Sequence, residues 1–137
     1  MKILLGSIIN VIALSCSLST AADAYLDKQE FMPLGVAEAK YGKRSFSADR
    51  FKTGSVADRA AMSVALIKSR QFIGKTPTEV RTSLGESTGL FWSDAIPAYF
   101  VEEGWEKKGD SWQLVFLISN EGKINDVRIH KNCCPKK

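Results

Sequence analysis

The stretch Phe72-Ile73-Gly74-Lys75-Thr76-Pro77-Thr78-Glu79-Val80-Arg81-Thr82-Ser83-Leu84-Gly85 decides how this chain folds, because it spells a helix with both ends specified. Thr76 caps the first turn, and Pro77 fits the first helical position, where its missing N–H costs nothing. Glu79 lies three residues on, so the two side chains form a reciprocal capping box. Val80 and Leu84 share one face, and Gly85 suits the left-handed position that ends a helix. So short a helix is not stable alone and must dock on something larger.

What it docks on reads as strands. Ala98 to Glu103 follows Pro97, Ser111 to Ser119 is the clearest strand, and Ile124 to Lys131 is its hairpin partner. Asn120-Glu121-Gly122-Lys123 is the turn. A two-residue turn at Glu121-Gly122 opposes Ile118 to Asn125, Phe116 to Val127 and Leu114 to Ile129. Side chains alternate, so Trp112, Leu114, Phe116, Val127 and Ile129 form a core face. Gln113, Val115, Leu117, Asp126, Arg128 and His130 form the other face, mixed in character and expected to meet solvent. A longer helix, Val56 to Gln71, places Val56, Ala60, Met62, Val64, Leu66 and Ile67 on one arc. Arg59 and Arg70 fall inside that arc, where their stems cover apolar surface while their heads reach water. The expected fold is α+β: two helices packed on one face of a small antiparallel sheet of about three strands.

The spelling Gly-x-Thr-x-x-x-Val-x-x-x-Leu-Gly at Gly74, Thr76, Val80, Leu84 and Gly85 resembles the SmpA/OmlA family, which includes the small outer-membrane lipoprotein of the β-barrel assembly machinery. The resemblance continues at Tyr99, Leu114-Val115-Phe116, Gly122 and Val127, and spans residues 51 to 131. Glu86-Ser87 stands where the family often has proline. Similar helix-plus-sheet units build the β-lactamase inhibitory proteins, which hold two in tandem; this chain holds one. The resemblance implies an SmpA/OmlA-like α+β domain at residues 55–131 and a supporting role at an outer-membrane protein or complex. It speaks to fold more than to function.

Residues 1–24 read as a signal peptide. Lys2 supplies a positive start, Ile3 to Leu14 an apolar run, and Ala22-Asp23-Ala24 a small-x-small cleavage site before Tyr25. An alternative is lipidation at Cys16, since Ala13-Leu14-Ser15 loosely resembles a lipoprotein cleavage box. An uncleaved anchor is the third reading, opposed by Asn10 and the short apolar core. Each exports the domain: periplasmic or secreted, or an outer-membrane lipoprotein. Membrane association follows only if Cys16 is lipidated or the leader is kept. Residues 25–54 read as an N-terminal arm, with a break at Pro33-Leu34-Gly35, a helical turn at Val36 to Tyr41 and Phe51 at the domain edge. Residues 132–137 read as a C-terminal tail.

Charge and chemistry narrow the function classes. The formal net charge is +4, and loss of the leader removes Lys2 and Asp23 together, leaving it unchanged. The basic residues are scattered, which with an export signal argues against nucleic acid as a partner. No phosphate loop, nucleophile elbow or His-Glu-x-x-His is present. Glu102 and Glu103 are strand neighbours and point to opposite faces, so they cannot serve one bond as acid and base. His130, Cys133 and Cys134 lie close in sequence, but a zinc site needs a second ligand pair and a Cys–His nucleophile needs an orienting group. Cys133 and Cys134 are a candidate vicinal disulfide in an oxidising compartment.

No metal and no cofactor is expected, and no enzyme. The reading is an exported protein-binding module of the bacterial cell envelope, with a protein partner there. A secreted or periplasmic inhibitor or immunity-type protein that binds a target enzyme is one alternative. A thiol redox protein using Cys133-Cys134 is another. Candidate partner-binding residues are Val115, Leu117 and Arg128 on the second sheet face, with Trp92 and Trp105 at its margin.

Overall fold

The computed structural model describes residues 30–104 and 111–132. It is α+β. The helices are α1 Leu34–Tyr41, α2 Ala48–Thr53, α3 Val56–Ser69 and α4 Pro77–Leu84, and the strands are β1 Ala98–Glu102, β2 Ser111–Ile118 and β3 Ile124–Asn132. The strands form one antiparallel sheet in the order β1-β2-β3. No helix among the described residues is long and apolar enough to cross a membrane.

Helix starts follow the side chains that cap them. In α4, Thr76 Oγ1 accepts from the Glu79 N–H at 3.2 Å, and Glu79 Oε2 accepts from the Thr76 N–H at 2.7 Å. Ser55 and Asp58 make the same box for α3. Ser47 Oγ accepts from the Arg50 N–H to start α2. The end of α3 comes at Ser69, two residues before the expected Gln71, because Arg70 turns left-handed at φ 54°.

Among the described residues four helices pack on the sheet rather than the two expected, and the difference lies in the supposed arm. Residues 34–53 supply α1 and α2, and Phe51 is 0% exposed. Its ring meets Tyr99 edge-on at 5.4 Å. The ring contacts continue from Tyr99 to Phe116, Phe116 to Phe72, Phe72 to Phe46 and back to Phe51, all within 6.2 Å. This closed circuit joins α2, the α3–α4 connection and the two strands β1 and β2. Residues 34–53 are therefore part of the core, not an appendage. Met62, Val64 and Leu66 of α3, Val80 and Leu84 of α4, and Leu114, Val127 and Ile129 of the sheet complete it.

Arg59 also departs from expectation. It is 9% exposed, and its head does not reach out to water. Its Nε donates to Phe100 O at 3.1 Å and its Nη1 to Gly54 O at 3.0 Å. A buried guanidinium is tolerated where carbonyls take its protons. Arg70, by contrast, is exposed.

The hairpin keeps Leu114 opposite Ile129 and Phe116 opposite Val127, as the alternation predicts. Its tip differs. The Ser119 N–H donates to Lys123 O at 2.8 Å and the Gly122 N–H to Ser119 O at 3.0 Å, so the loop has three residues, Asn120 to Gly122. Gly122 sits at φ 74°, the left-handed place that such a loop requires. The extra residue is absorbed beyond Leu117, where Ile118 pairs with Ile124 instead of Asn125.

Both outer edges of the sheet carry hydrogen bonds to other segments. Along β1, Ala98 O accepts from the Thr88 and Gly89 N–H groups, Ser87 Oγ and Thr88 Oγ1 accept from the Ala98 and Phe100 N–H groups, and Arg59 takes Phe100 O. Along β3, Ile124 exchanges bonds with Gly74 and Lys75, and Met32 and Glu30 bond to Ile129 and Lys131. Between them, the Val127 N–H donates to the Asp126 carboxylate beside it at 2.8 Å.

Candidate functional site

The second sheet face is covered, contrary to the expectation that it meets solvent. Val115 is 0% exposed and Leu117 5%, and Gln113 is buried with them. Two irregular segments do the covering. One is the 86–97 connection, which brings Phe91 and Ile96 onto Ala98, Val115 and Leu117. The other is the strand-like piece at Phe31, which bridges to His130. Val115 and Leu117 are therefore core residues of a second, smaller cluster and are not available to a partner in this state.

The 86–97 connection is held firmly. Buried Gln113 donates from Nε2 to Leu90 O at 2.9 Å, and its Oε1 lies so close to Gly89 that any Cβ there would overlap it. Arg81 of α4 donates to Asp94 O. Phe91 faces inward. Its neighbours Leu90 and Trp92 face out, at 56% and 61% exposure. Trp92 adopts φ 65°, a left-handed conformation that a bulky side chain rarely takes. Such strain costs of order 1–3 kcal/mol and persists only where surrounding contacts impose it. Here the inward anchoring of Phe91 and the Ser93 N–H bond to Phe91 O, at 2.7 Å, impose it.

Arg128 is exposed on the same face. Its guanidinium lies 4.9 Å from the Phe31 ring centroid, and its Nε donates to Asp126 Oδ2 at 2.6 Å. His130 stands between Phe31 and Phe91, with ring centroids 5.4 and 4.7 Å away. Burial holds its imidazole below the usual histidine range, against the pull of the Glu30 carboxylate. Arg128, Phe31, His130, Phe91 and Trp92 thus form one continuous row across the second face.

Around the N-terminal side of β3 runs an open groove of about 400 Å³. Phe31, Met32, Leu34, Ile67, Val127 and Ile129 line it. Glu102, one of the paired carboxylates, is taken up by Lys40 Nζ and the Tyr41 hydroxyl, each at 2.7 Å.

Of the sequence-derived candidates, Trp92 and Arg128 lie at the surface, Val115 and Leu117 lie beneath it, and Trp105, Cys133, Cys134, Cys16, Ala22 and Ala24 fall outside the described residues. Phe91, an aromatic of the connecting segment whose expected role is edge packing, is buried over the second face, and Leu90 and Phe31 are residues the sequence reading does not pick out. The contiguous triplet Leu90-Phe91-Trp92 carried the signal, since three bulky apolar residues in a loop cannot all face one way.

No family model, no curated protein and no solved structure matches the chain.

Proposed function

We propose that this chain is an exported protein-binding module of the bacterial cell envelope, supporting an outer-membrane protein or complex, and that it meets its partner through the Leu90–Trp92 crest. The observation that carries this reading is Trp92: an exposed tryptophan held in a strained backbone by anchored neighbours. Strain of this kind concentrates at functional positions, and tryptophan is among the residues most enriched in binding hot spots. The leader at residues 1–24 and the SmpA/OmlA resemblance supply the compartment and the kind of partner. The binding surface moves from the sheet face to the loop that covers it.

A photoactivatable amino acid in place of Trp92, in the full exported chain, tests this. Expected is a cross-link to an outer-membrane component that Trp92→Ala protein competes for poorly. An anchor worth about 2 kcal/mol makes that competitor roughly 30-fold weaker. Cross-links confined to a soluble enzyme would replace this reading with the inhibitor one. Equal competition by Trp92→Ala would remove the crest from the interface.

A further inference from the structure

The second sheet face is closed by two segments distant in sequence that converge on one side chain. Phe31 approaches the His130 ring from the N-terminal side and Phe91 from the 86–97 connection, both edge to face. Other contacts tie residues 30–32 to β3. The Met32 N–H donates to Ile129 O at 2.8 Å, the Lys131 N–H to Glu30 O at 2.9 Å, and Lys131 Nζ pairs with the Glu30 carboxylate at 3.1 Å. His130 is the only histidine in the chain.

We propose that His130 is an acid-sensitive clasp: taking up a proton, it releases the Glu30–Met32 segment and lifts Phe31 off the apolar cluster of Phe91, Val115 and Leu117, while the firmly held 86–97 connection stays in place.

The argument starts from what surrounds the ring. Two phenyl groups occupy the space in which water would solvate an imidazolium. The charges facing it do not make up that loss. Glu30, on the N-terminal segment, attracts a proton to His130, but Lys131 already holds its carboxylate. Arg128, two residues away on the same strand face, repels it, with Asp126 partly offsetting that charge. From β2 the opposite residue is Gln113, which is neutral, and from the 86–97 connection it is Phe91. A proton on His130 is therefore better accommodated when the Phe31 ring and its segment move aside.

The cheapest way to move them is local. Among the described residues, releasing Glu30–Met32 gives up two backbone bonds, the Glu30–Lys131 ion pair, the half-buried Phe31 ring and the Met32 side chain at the rim of the main core, whereas the buried residues of that core keep one another's contacts. Segments with so few anchors open at free energies well below global unfolding. The open form binds the proton more tightly than the closed form. Falling pH therefore shifts the population toward it, and neutral pH closes the clasp.

A single histidine makes the test direct. In the full chain, the His130 ring proton signals are followed by NMR from neutral to mildly acidic pH, together with amide exchange corrected for its intrinsic pH dependence. Expected is loss of protection at the Met32 and Lys131 amides with the same midpoint as the ring titration, while the Phe116 amide keeps its protection. Binding of an apolar fluorescent dye, 1-anilinonaphthalene-8-sulfonate, rises over the same range. In His130→Phe, which keeps three rings in a row, protection at Met32 and Lys131 is unchanged by pH. Should that variant not fold, Phe31→Ala serves instead: the histidine midpoint moves up toward the ordinary value because half its enclosure is gone. The proposal fails if protection persists through the ring titration. It fails equally if protection is lost at another midpoint, where carboxylates titrate, or if the Phe116 amide loses it in step.

Discussion

Replacing Phe51 by alanine asks whether residues 34–53 are part of the fold. Phe51 is fully buried, so its truncation removes an entire phenyl ring from packed surroundings. Such losses cost about 3–5 kcal/mol, combining lost transfer energy with the cavity left behind. Two aromatic partners, Tyr99 at 5.4 Å and Phe46 at 6.2 Å, push the value toward the top of that range, since edge-to-face pairs contribute about 0.5–1.5 kcal/mol beyond area. The hole would open in a circuit of five rings, each braced by two others, so collapse to fill it is difficult. Single domains have only about 5–15 kcal/mol in total. The variant should therefore lose a third or more of its stability. Urea unfolding monitored by far-ultraviolet circular dichroism and tryptophan fluorescence measures this, with coincident transitions checking two-state behaviour. A loss below about 1 kcal/mol, with an unchanged slope, would refute the closed-circuit reasoning and return residues 34–53 to the status of an appendage.

Leu117→Asp places a carboxylate under Phe91, and the melt should show severe destabilisation, about 3 kcal/mol or more, where an open face would have tolerated it. Leu84→Ala should cost about 2–5 kcal/mol and Thr76→Ala about 0.5–2, so denaturant midpoints should rank them in that order. Glu79 is held below the ordinary glutamate value of 4.5, first by the Thr76 N–H and then by its hydroxyl. Its contribution is present above that value and is lost as pH falls through the lowered one, because the unfolded chain takes up the proton first. In Glu79→Gln the acid limb of the stability profile should be correspondingly flatter, read from urea midpoints across pH 2 to 6.

The parts of this fold legible in sequence are those written in neighbouring residues. Thr76 and Glu79 form their box because a helix start is decided within one turn. Leu114 faces Ile129, and Phe116 faces Val127, because alternation fixes strand register. The hairpin tip was misread by one residue: Gly122 suits the left-handed place in loops of either length, and the bulge at Asn125 restores the register afterwards. Alternation says which residues share a face, but not what lies over that face. Here the cover comes from Phe31, Phe91 and Ile96, in segments with no period. A signal did exist in the uninterrupted apolar run Leu114-Val115-Phe116-Leu117-Ile118, the pattern of a strand buried on both sides. α1 is foreshadowed only by the helical turn at Val36 to Tyr41 and α2 by nothing, because each is about two turns long or less and buries one residue, Ala37 and Phe51 respectively. So little burial leaves no periodic stripe. At the surface site, Trp92 was visible as an aromatic in a loop, whereas its backbone strain arises from the anchoring of Phe91 and could not be read from residue types.

The filled margins of the sheet have a consequence for how this protein can associate. A three-stranded sheet with bare sides invites other chains to extend it, and that is the usual beginning of swapped dimers and fibrils. Here Ser87, Thr88, Gly89 and Arg59 stand along one side, and Glu30, Met32, Gly74, Lys75 and the Asp126 carboxylate along the other. An incoming strand would find these hydrogen-bonding sites already spoken for. Recognition along these stretches must therefore run through side chains on the surface, and two molecules brought together find little open strand there by which to zip into one another. The sheet is in this sense insulated against its own copies where these bonds lie, and the insulation is thinnest beside residues 30–32.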